Sequence, residues 1–445
     1  MADRGDGAGV SATYVEEFSA ISPRENARES WVQQLRRSAM DRFAQVGFPA
    51  ARDEDWRFTN ISPISGGTFQ LAPADVSGVA AARLNPYLFA IPGASRLVFI
   101  NGRYAPGLSH LESFPAGARV RNLASAYSAD GAITQRHLGQ YARPERNGFV
   151  ALNTAFMPDG AFIHVPAGVD LGAPVHLLFL TDARSAARAI YPRNLIVLER
   201  GARAAVLESY VGLDDVASLT NAVTEIVVSE GATIEHLKIQ RESEHAYHIG
   251  TAHIHQERDS RSTSHSVSLG GAIARNDLDV TLAGSGIEST LLGLYLGRGR
   301  QLVDNHTAIR HAYPSCSTRE VYKGILDDAS HAVFNGKVFV TPEAQKTDAK
   351  QTNRNLLLSD RARIDTKPQL EIFADDVKCT HGATVGRLDP MSFFYLQSRG
   401  IGLPLARRIL TYAFAAEVLE EIPFESVRLG LEQTVLRRLD EQVSF

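Results

Sequence analysis

The chain is poor in the residues that mark several protein classes. Its 445 residues include only two cysteines, Cys316 and Cys379. Two cysteines cannot build a disulfide framework or a four-cysteine zinc site within one chain, which favours a reduced, cytoplasmic protein. No apolar run approaches the ~20 residues that span a bilayer, and the N-terminal sequence has no apolar signal core. We therefore expect a cytoplasmic protein that does not bind a membrane.

The chain also lacks an excess of charge of either sign. It has 46 Lys plus Arg against 50 Asp plus Glu, a net charge of −4 with His neutral. Such a balance leaves no basic footprint for nucleic acid. Hydrophobic residues are 44% and charged residues 22%, which are ordinary globular values that disfavour disorder and coiled coil. The length allows two to three domains.

Several enzyme motifs are absent. The sequence contains no phosphate-binding P-loop, no G-x-S-x-G elbow and no H-E-x-x-H pair. The glycines at Gly284-Ser-Gly286 do not complete a dinucleotide fingerprint, and turn glycines are the simpler interpretation. We expect that the chain is not an enzyme and does not hydrolyse ATP itself.

The first 90 residues predict a helical domain and a linker. Ser22-Pro23-Arg24-Glu25 has the form of a capping box with proline at N1. A helix is predicted after it, with Gly47 as its stop. Its apolar residues at helical spacing are Trp31, Leu35, Ala39, Phe43 and Val46.

The middle of the chain, residues 91–386, predicts short strands with no long helical pattern between them. The clearest runs are 97–101, 175–180, 195–198, 204–210, 225–228, 233–239, 278–282, 289–296 and 331–340. A turn motif recurs at irregular spacing around Gly201, Gly231, Ser285, Asp328 and Asp360. Stacked coils of this kind indicate a β-helix. A β-sandwich is the alternative, because it also consists of many short strands.

The last segment, residues 387–445, predicts helices. Asp389 is placed to cap a helix that starts at Pro390 and ends at Gly400. A second helix is predicted from Pro404 to Glu421, and a third ends near Asp440. Helices after a solenoid form either an end cap or a docking surface for another protein.

Two groups of residues could bind a metal. Five histidines cluster in the sequence, at His245, His248, His253, His255 and His265, and the spacing of His253 and His255 puts them on one face of a strand. Hydrogen-bonded surface histidines are the competing interpretation. The second group is Cys379-Thr-His381, a thiol and an imidazole on one side of an extended segment, which suit iron or zinc. Two ligands do not close a site, and a buried thiol beside a packed histidine is the alternative.

The segment that contains Cys379 and His381 carries a resemblance. Lys378-Cys-Thr-His-Gly-Ala-Thr-Val-Gly-Arg-Leu-Asp389, followed by Phe393-Phe-Tyr-Leu-Gln-Ser-Arg-Gly-Ile401, resembles the C-terminal signature of the SufD family. These proteins are scaffold subunits of the SUF machinery for iron–sulfur cluster assembly. Further stretches agree in order: Asp55-Trp-Arg-Phe-Thr59, Val98-Phe-Ile-Asn-Gly102, Phe334-Asn-Gly-Lys-Val338 and Asp365-Thr-Lys-Pro-Gln-Leu370.

The related SufB family shares these features but differs at two places. SufB carries a cysteine just before the apolar run that is Leu356-Leu-Leu358 here, where this chain reads Gln351-Thr-Asn-Arg-Asn355. SufB also carries a His-Glu pair where this chain has His381-Gly382. Both differences favour the SufD family.

The resemblance implies a fold, partners and roles. The fold is a right-handed parallel β-helix between two helical domains. The partners are SufB, which pairs through the β-helix ends, and the ATPase SufC, which docks on the C-terminal helices and carries the ATP. His381, and less directly Cys379, are the implied ligands for transient iron or a nascent cluster shared with SufB, with no cofactor permanently bound. The candidate SufC-docking residues are Phe393, Tyr395, Arg399, Leu405, Ile409 and Tyr412.

Two other functions remain open. One is a β-helix enzyme that acts on carbohydrate, which needs a carboxylate or basic cluster on a solvent face. The other is a purely structural partner of SufB in which His381 is inert.

Overall fold

The computed structural model describes residues 13–20, 29–67, 69–72, 78–145, 147–183 and 187–441. Its helices are α1 (13–20), α2 (Ser30–Val46), α3 (Ser62–Ser65), α4 (Leu123–Ala129), α5 (Gly131–His137), α6 (Gly148–Phe156), α7 (Pro390–Ser398), α8 (Leu403–Leu419) and α9 (Glu425–Glu441). The strands are β1 (Gln70–Leu71), β2 (Ser95–Ile100), β3 (Arg103–Tyr104), β4 (Arg119–Asn122), β5 (Ala161–Val165), β6 (Val175–Thr181), β7 (Arg188–Ile190), β8 (Arg193–Leu198), β9 (Arg203–Gly212), β10 (Ser218–Val228) and β11 (Thr233–Arg241). They continue with β12 (Tyr247–Gln256), β13 (Arg261–Ser268), β14 (Ile273–Leu282), β15 (Glu288–Gly297), β16 (Leu302–His311), β17 (Ser317–Leu326), β18 (His331–Val340), β19 (Thr347–Leu357), β20 (Arg363–Ile372) and β21 (Val377–Gly386).

The strands form a parallel β-helix with two faces. From β8 onward, even-numbered strands stack into an 11-stranded sheet that ends at β20, which we call sheet 1. Odd-numbered strands stack into a 10-stranded sheet that ends at β21, which we call sheet 2. Leu219 of β10 lies beside Tyr247 of β12, and Tyr247 beside Ile273 of β14, so these coils advance by 28 and 26 residues. The prediction of a β-helix is confirmed, and the sandwich is excluded because its sheets are antiparallel.

The irregular spacing of the turn motif has a structural cause. Gly201, Gly231 and Gly286 lie at corners where the chain leaves sheet 1 for sheet 2, whereas Asp328 lies at a corner of the opposite sense. All four have left-handed backbone angles, with φ between 53° and 70°. Asp259, Ser315 and Lys346, with φ between 55° and 60°, occupy equivalent corners without glycine, so the sequence motif missed three coils.

Three short helices interrupt the strands, in a segment where the sequence shows no long helical pattern. α4, α5 and α6, of seven, seven and nine residues, lie between β4 and β5. Every residue of α6 is buried, and α2 packs along it, with Arg36 Nε donating to the Ala155 carbonyl at 2.7 Å. A helix buried on all sides shows no apolar period, which is why the sequence did not reveal it.

The terminal helices agree with their sequence signals where the structure describes them. α2 spans Ser30–Val46 and ends at Gly47, which has φ 65°. The capping box Ser22–Glu25 lies outside the described residues. Asp389 caps α7 by accepting from the backbone N–H groups of Met391 and Ser392, at 3.2 and 3.0 Å. Among the described helices none is long and apolar enough to cross a membrane.

The C-terminal helices pack back onto the outer face of sheet 2. One apolar cluster joins strand residues such as Leu237 and Leu292 to helix residues such as Val418 and Leu431. The odd-numbered strands from β9 to β17 are therefore covered by α8 and α9. The last coil, β20 and β21, extends past this cover.

Candidate functional site: the open edge of the β-helix

The β-helix ends in two unpaired strand edges. Among the strands that the structure describes, β20 pairs only with β18 and β21 only with β19. Each strand therefore presents a row of backbone N–H and C=O groups along its outer edge. Such edges are templates for pairing with another chain unless they are protected. Side chains near them are also exposed, with Phe373 at 59% and Val385 at 49%.

Cys379 and His381 lie on β21 at this edge. Their register partners on β19, Ala349 and Gln351, are buried, so both residues occupy inward-facing positions, and their side chains point the same way because they are two residues apart. Cys379 is half-buried and packs against an apolar cluster that includes Ala349 and Ala374, whereas His381 is exposed. The structure thus brings both predicted ligands to the open end of the β-helix.

The chemistry of Cys379 depends on what binds beside it. Burial raises the pKa of its thiol, and the charge of Asp348 adds to this effect. The thiol is therefore protonated at neutral pH, although the thiolate is the form that ligates a metal. A metal ion that displaces the proton, or a cation brought by another chain, is needed to activate it.

The described residues do not form a complete metal site by themselves. Within the described ranges no group of three or more His, Cys, Asp or Glu side chains could hold a metal ion. Cys379 and His381 supply two donors, and a tetrahedral iron or zinc site needs four.

The five clustered histidines are dispersed in the fold. His253 and His255 face outward on sheet 1, where the Tyr141 ring packs against both, with centroids 6.1 and 5.1 Å away. The other three lie elsewhere, each beside an acidic partner: His248 with Glu242 at 2.8 Å inside the β-helix, His265 with Glu235 at 2.8 Å on sheet 2, and exposed His245 with Asp215 at 3.8 Å. The group in the sequence is not a group in space.

Trp56, in the motif Asp55-Trp-Arg-Phe-Thr59, lies against the outer face of sheet 1. The Arg275 guanidinium lies over the Trp56 ring at 3.7 Å and forms ion pairs with Asp304 at 2.6 Å and Asp277 at 2.8 Å. Burial alone would raise the pKa of Asp304, but the charges of Arg275 and His306 outweigh it and lower the pKa to about 2. This motif therefore fastens the N-terminal segment to the strands.

A groove of about 600 Å³ opens beside this motif. Asp277 and Asp279 lie on its floor, which is the kind of acidic surface that a carbohydrate-active β-helix needs. Asp277, however, is paired with Arg275 through both carboxylate oxygens, at 2.8 and 3.1 Å. This pairing argues against a catalytic pair of carboxylates.

The C-terminal helices expose an apolar surface next to the open edge. The candidate docking residues Tyr395, Leu405 and Ile409 are 57%, 43% and 38% exposed. Arg399 is exposed and stacks over the Tyr395 ring at 5.1 Å. Phe393 and Tyr412 are half-buried, and Tyr412 packs against the cluster that joins the helices to sheet 2.

Sequence reasoning missed three exposed members of this surface, including the two most exposed. They are Met391 at 69%, Phe394 at 67% and Leu403 at 55%. The sequence carried a signal for them, because the apolar residues of α7 are distributed all around the helix axis. In the structure no residue of α7 is buried by the described part of the chain. We call the six residues Met391, Phe394, Tyr395, Leu403, Leu405 and Ile409 the helical patch.

Comparison with known proteins identifies the family. The model of the SUF system FeS cluster assembly, SufBD core domain, matches residues 179–414, and the model of the SufBD protein N-terminal region matches residues 11–177. The chain belongs to the SufBD family. An iron-sulfur cluster assembly SufBD family protein of Synechocystis is 38% identical, with 90% of this chain and 89% of that protein covered.

Two SufBD relatives carry a more specific name. The iron-sulfur cluster assembly protein SufD of Escherichia coli is 32% identical, with 91% of each chain covered. The SufD protein of Bacillus subtilis is 24% identical, with 97% of this chain and 98% of that protein covered. The resemblance to the SufD family that the sequence indicated is confirmed.

Proposed function

We propose that this SufBD chain is a non-enzymatic scaffold subunit that pairs with a SufB-type chain through the open edge and helps to hold transient iron or a nascent cluster there. The observation that carries the proposal is the position of Cys379 and His381 on the terminal strand of an uncapped β-helix. The relatives are named for iron–sulfur cluster assembly, which gives these two donors a substrate.

The unpaired edges support a partner chain rather than a free surface. Backbone groups along β20 and β21 can continue both sheets into a second β-helix, and exposed Phe373 and Val385 supply apolar contact beside them. Because SufB shares the fold, its own terminal coil is the matching surface. Both sheets of this chain then continue across the interface.

An incomplete ligand set on this chain suits a scaffold that must release its product. Cys379 and His381 supply two donors, and the partner supplies the remaining ligands. A ligand set divided between two chains is broken when the interface shifts, so the cluster is held only while the chains are in one arrangement.

The helical patch is the proposed docking surface for SufC. Its apolar side chains lie on α7 and the first half of α8, directly after the strand that carries His381. ATP binding to SufC supplies the energy for a movement of the C-terminal helices. Because α8 contacts β17 of sheet 2, this movement would reach the β-helix and its interface with SufB. In this arrangement the chain itself needs no catalytic residue.

Co-purification with the SufB and SufC of the same organism tests this function. We expect a stable complex with one copy of this chain, one SufB and two SufC, measured by mass determination. A chain that binds neither protein contradicts the scaffold role. If the complex forms but His381→Ala leaves iron binding unchanged, the chain is a structural partner only. The cytoplasmic location stays a prediction.

A further inference from the structure

A buried glutamine lies directly behind His381. Gln351 of β19 is the register partner of His381 on β21, and both occupy inward-facing positions. Parallel strands lie about 4.8 Å apart, so the two side chains are neighbours. Gln351 is 3% exposed, whereas His381 is exposed.

The amide of Gln351 is oriented by its other neighbours. Its Nε2 donates to Glu320 Oε2 at 2.7 Å, on the strand one coil further from the edge. The amide also rests on Gly336 of sheet 1, where a Cβ atom would lie 2.3 Å from Gln351 Nε2. Glycine at this position therefore leaves the space that the amide fills.

This anchoring leaves the carbonyl oxygen unused. Gln351 Oε1 is buried and has no hydrogen-bond partner in the part of the chain that the structure describes. Because Nε2 is committed to the inner coil, Oε1 is the atom of the amide that remains for the outer coil, where His381 lies. A buried acceptor without a donor is unfavourable and is rare in native structures.

We propose that Gln351 Oε1 accepts a hydrogen bond from one ring nitrogen of His381 when the open edge is covered, and so leaves the other ring nitrogen to bind iron. Gln351 is then a positioning residue, and Glu320 and Gly336 hold its amide in place. Metal-binding histidines commonly use their second nitrogen in this way, which fixes tautomer and ring orientation. The inference rests on the proposed ligand role of His381.

Iron affinity of the assembled complex gives the first test. Gln351→Met removes the acceptor and keeps the side-chain length, and we expect Fe²⁺ to bind about tenfold more weakly. Gln351→Glu alone would lose the donor to Glu320, so the restoring variant is Gln351→Glu with Glu320→Gln, which exchanges the two groups, keeps the bond between the coils and leaves an oxygen toward His381. Asn353→Leu is the matched control, since it removes a buried amide on the same strand whose partners are Tyr295, Tyr322 and Asn355.

A spectroscopic test reports on the hydrogen bond itself. With Cu²⁺ as probe in the complex, electron spin echo modulation detects the ring nitrogen of a coordinated imidazole that does not touch the metal. We expect its quadrupole coupling to change in Gln351→Met, to return in the double variant Gln351→Glu with Glu320→Gln, and to stay the same in Asn353→Leu. If Gln351→Met does not assemble, Glu320→Met frees the amide to turn and should give the same change.

The ligand role of His381 and the positioning role of Gln351 can be contradicted separately. If His381→Ala keeps the imidazole signal and the iron affinity, then His381 is not a ligand and the proposed function fails. If His381→Ala loses both but Gln351→Met matches the wild type in both, then His381 is a ligand and Gln351 does not position it.

Discussion

Lys323 on β17 forms an ion pair with Glu417 on α8, with 2.5 Å between the charged atoms. The same ammonium donates to the Phe414 carbonyl at 3.1 Å and lies 4.5 Å from the centre of the Phe414 ring. The Lys323 side chain is 1% exposed, whereas that of Glu417 is 59% exposed. One buried cation therefore fastens the C-terminal helices to the β-helix.

Replacing this cation should loosen the helices. Lys323→Met keeps the apolar stem and removes the charge, so we expect the free energy of unfolding to fall by about 1–3 kcal/mol. Hydrogen exchange should become faster in α8, measured by mass spectrometry. The control is Arg319→Met, which removes the exposed pair with Glu421 and should change little. Equal effects of the two variants would contradict the role of Lys323.

The buried pair under Trp56 should be strongly coupled. Arg275→Met leaves Asp304 buried and charged, so we expect a loss of about 3–5 kcal/mol in chemical denaturation. Adding Asp304→Asn to this variant should restore part of the loss, because the fully buried charge is then removed and Asp277, which also loses Arg275, is partly exposed. Arg261→Met, which breaks an exposed pair with Glu288, is the control. No recovery in the double variant would show that the loss has another cause.

Glu320 should make stability depend on pH. Burial raises its pKa from 4.5 to about 7, so the folded chain holds this proton more tightly than the unfolded chain. The contribution is present in full below pH 4.5 and is lost as the pH rises through 7, by about 3 kcal/mol. Glu320→Gln should remove this slope and be more stable than the wild type at pH 8. An unchanged slope would contradict the assignment.

The helical patch should be dispensable for folding. Phe394→Ser removes a side chain that is 67% exposed, so we expect a stability change within about 0.5 kcal/mol and a clear loss of SufC binding. Leu429→Ser is the control, because Leu429 is 45% exposed on α9 outside the patch. Chemical denaturation measures the stability of each variant, and calorimetric titration measures its affinity for SufC. Wild-type affinity in Phe394→Ser would place the docking surface elsewhere.

The sequence predicts the parts of this fold whose signals are local. The β-runs, the caps at Asp389 and Gly47, and the pairing of Cys379 with His381 on one strand face all follow from residue spacing. What it could not show depends on stacking. Asp259 forms a coil corner without glycine, and α6 is buried on all sides.

The surroundings of the site are also set by stacking. Gln351 and His381 are 30 residues apart in the sequence and become neighbours only when one coil lies on the next. The same holds for Glu320, which reaches the site only through Gln351. No local motif reports such a pairing, because the register of the coils decides it.

Cluster formation on the assembled complex tests the central claim most directly. The measurement is the yield of iron–sulfur cluster on the co-purified complex, compared between wild type, His381→Ala and His245→Ala, the last being an exposed histidine remote from the edge. We predict that His381→Ala assembles with SufB and SufC but forms little or no cluster, while His245→Ala matches the wild type. Normal cluster yield in His381→Ala would contradict the account.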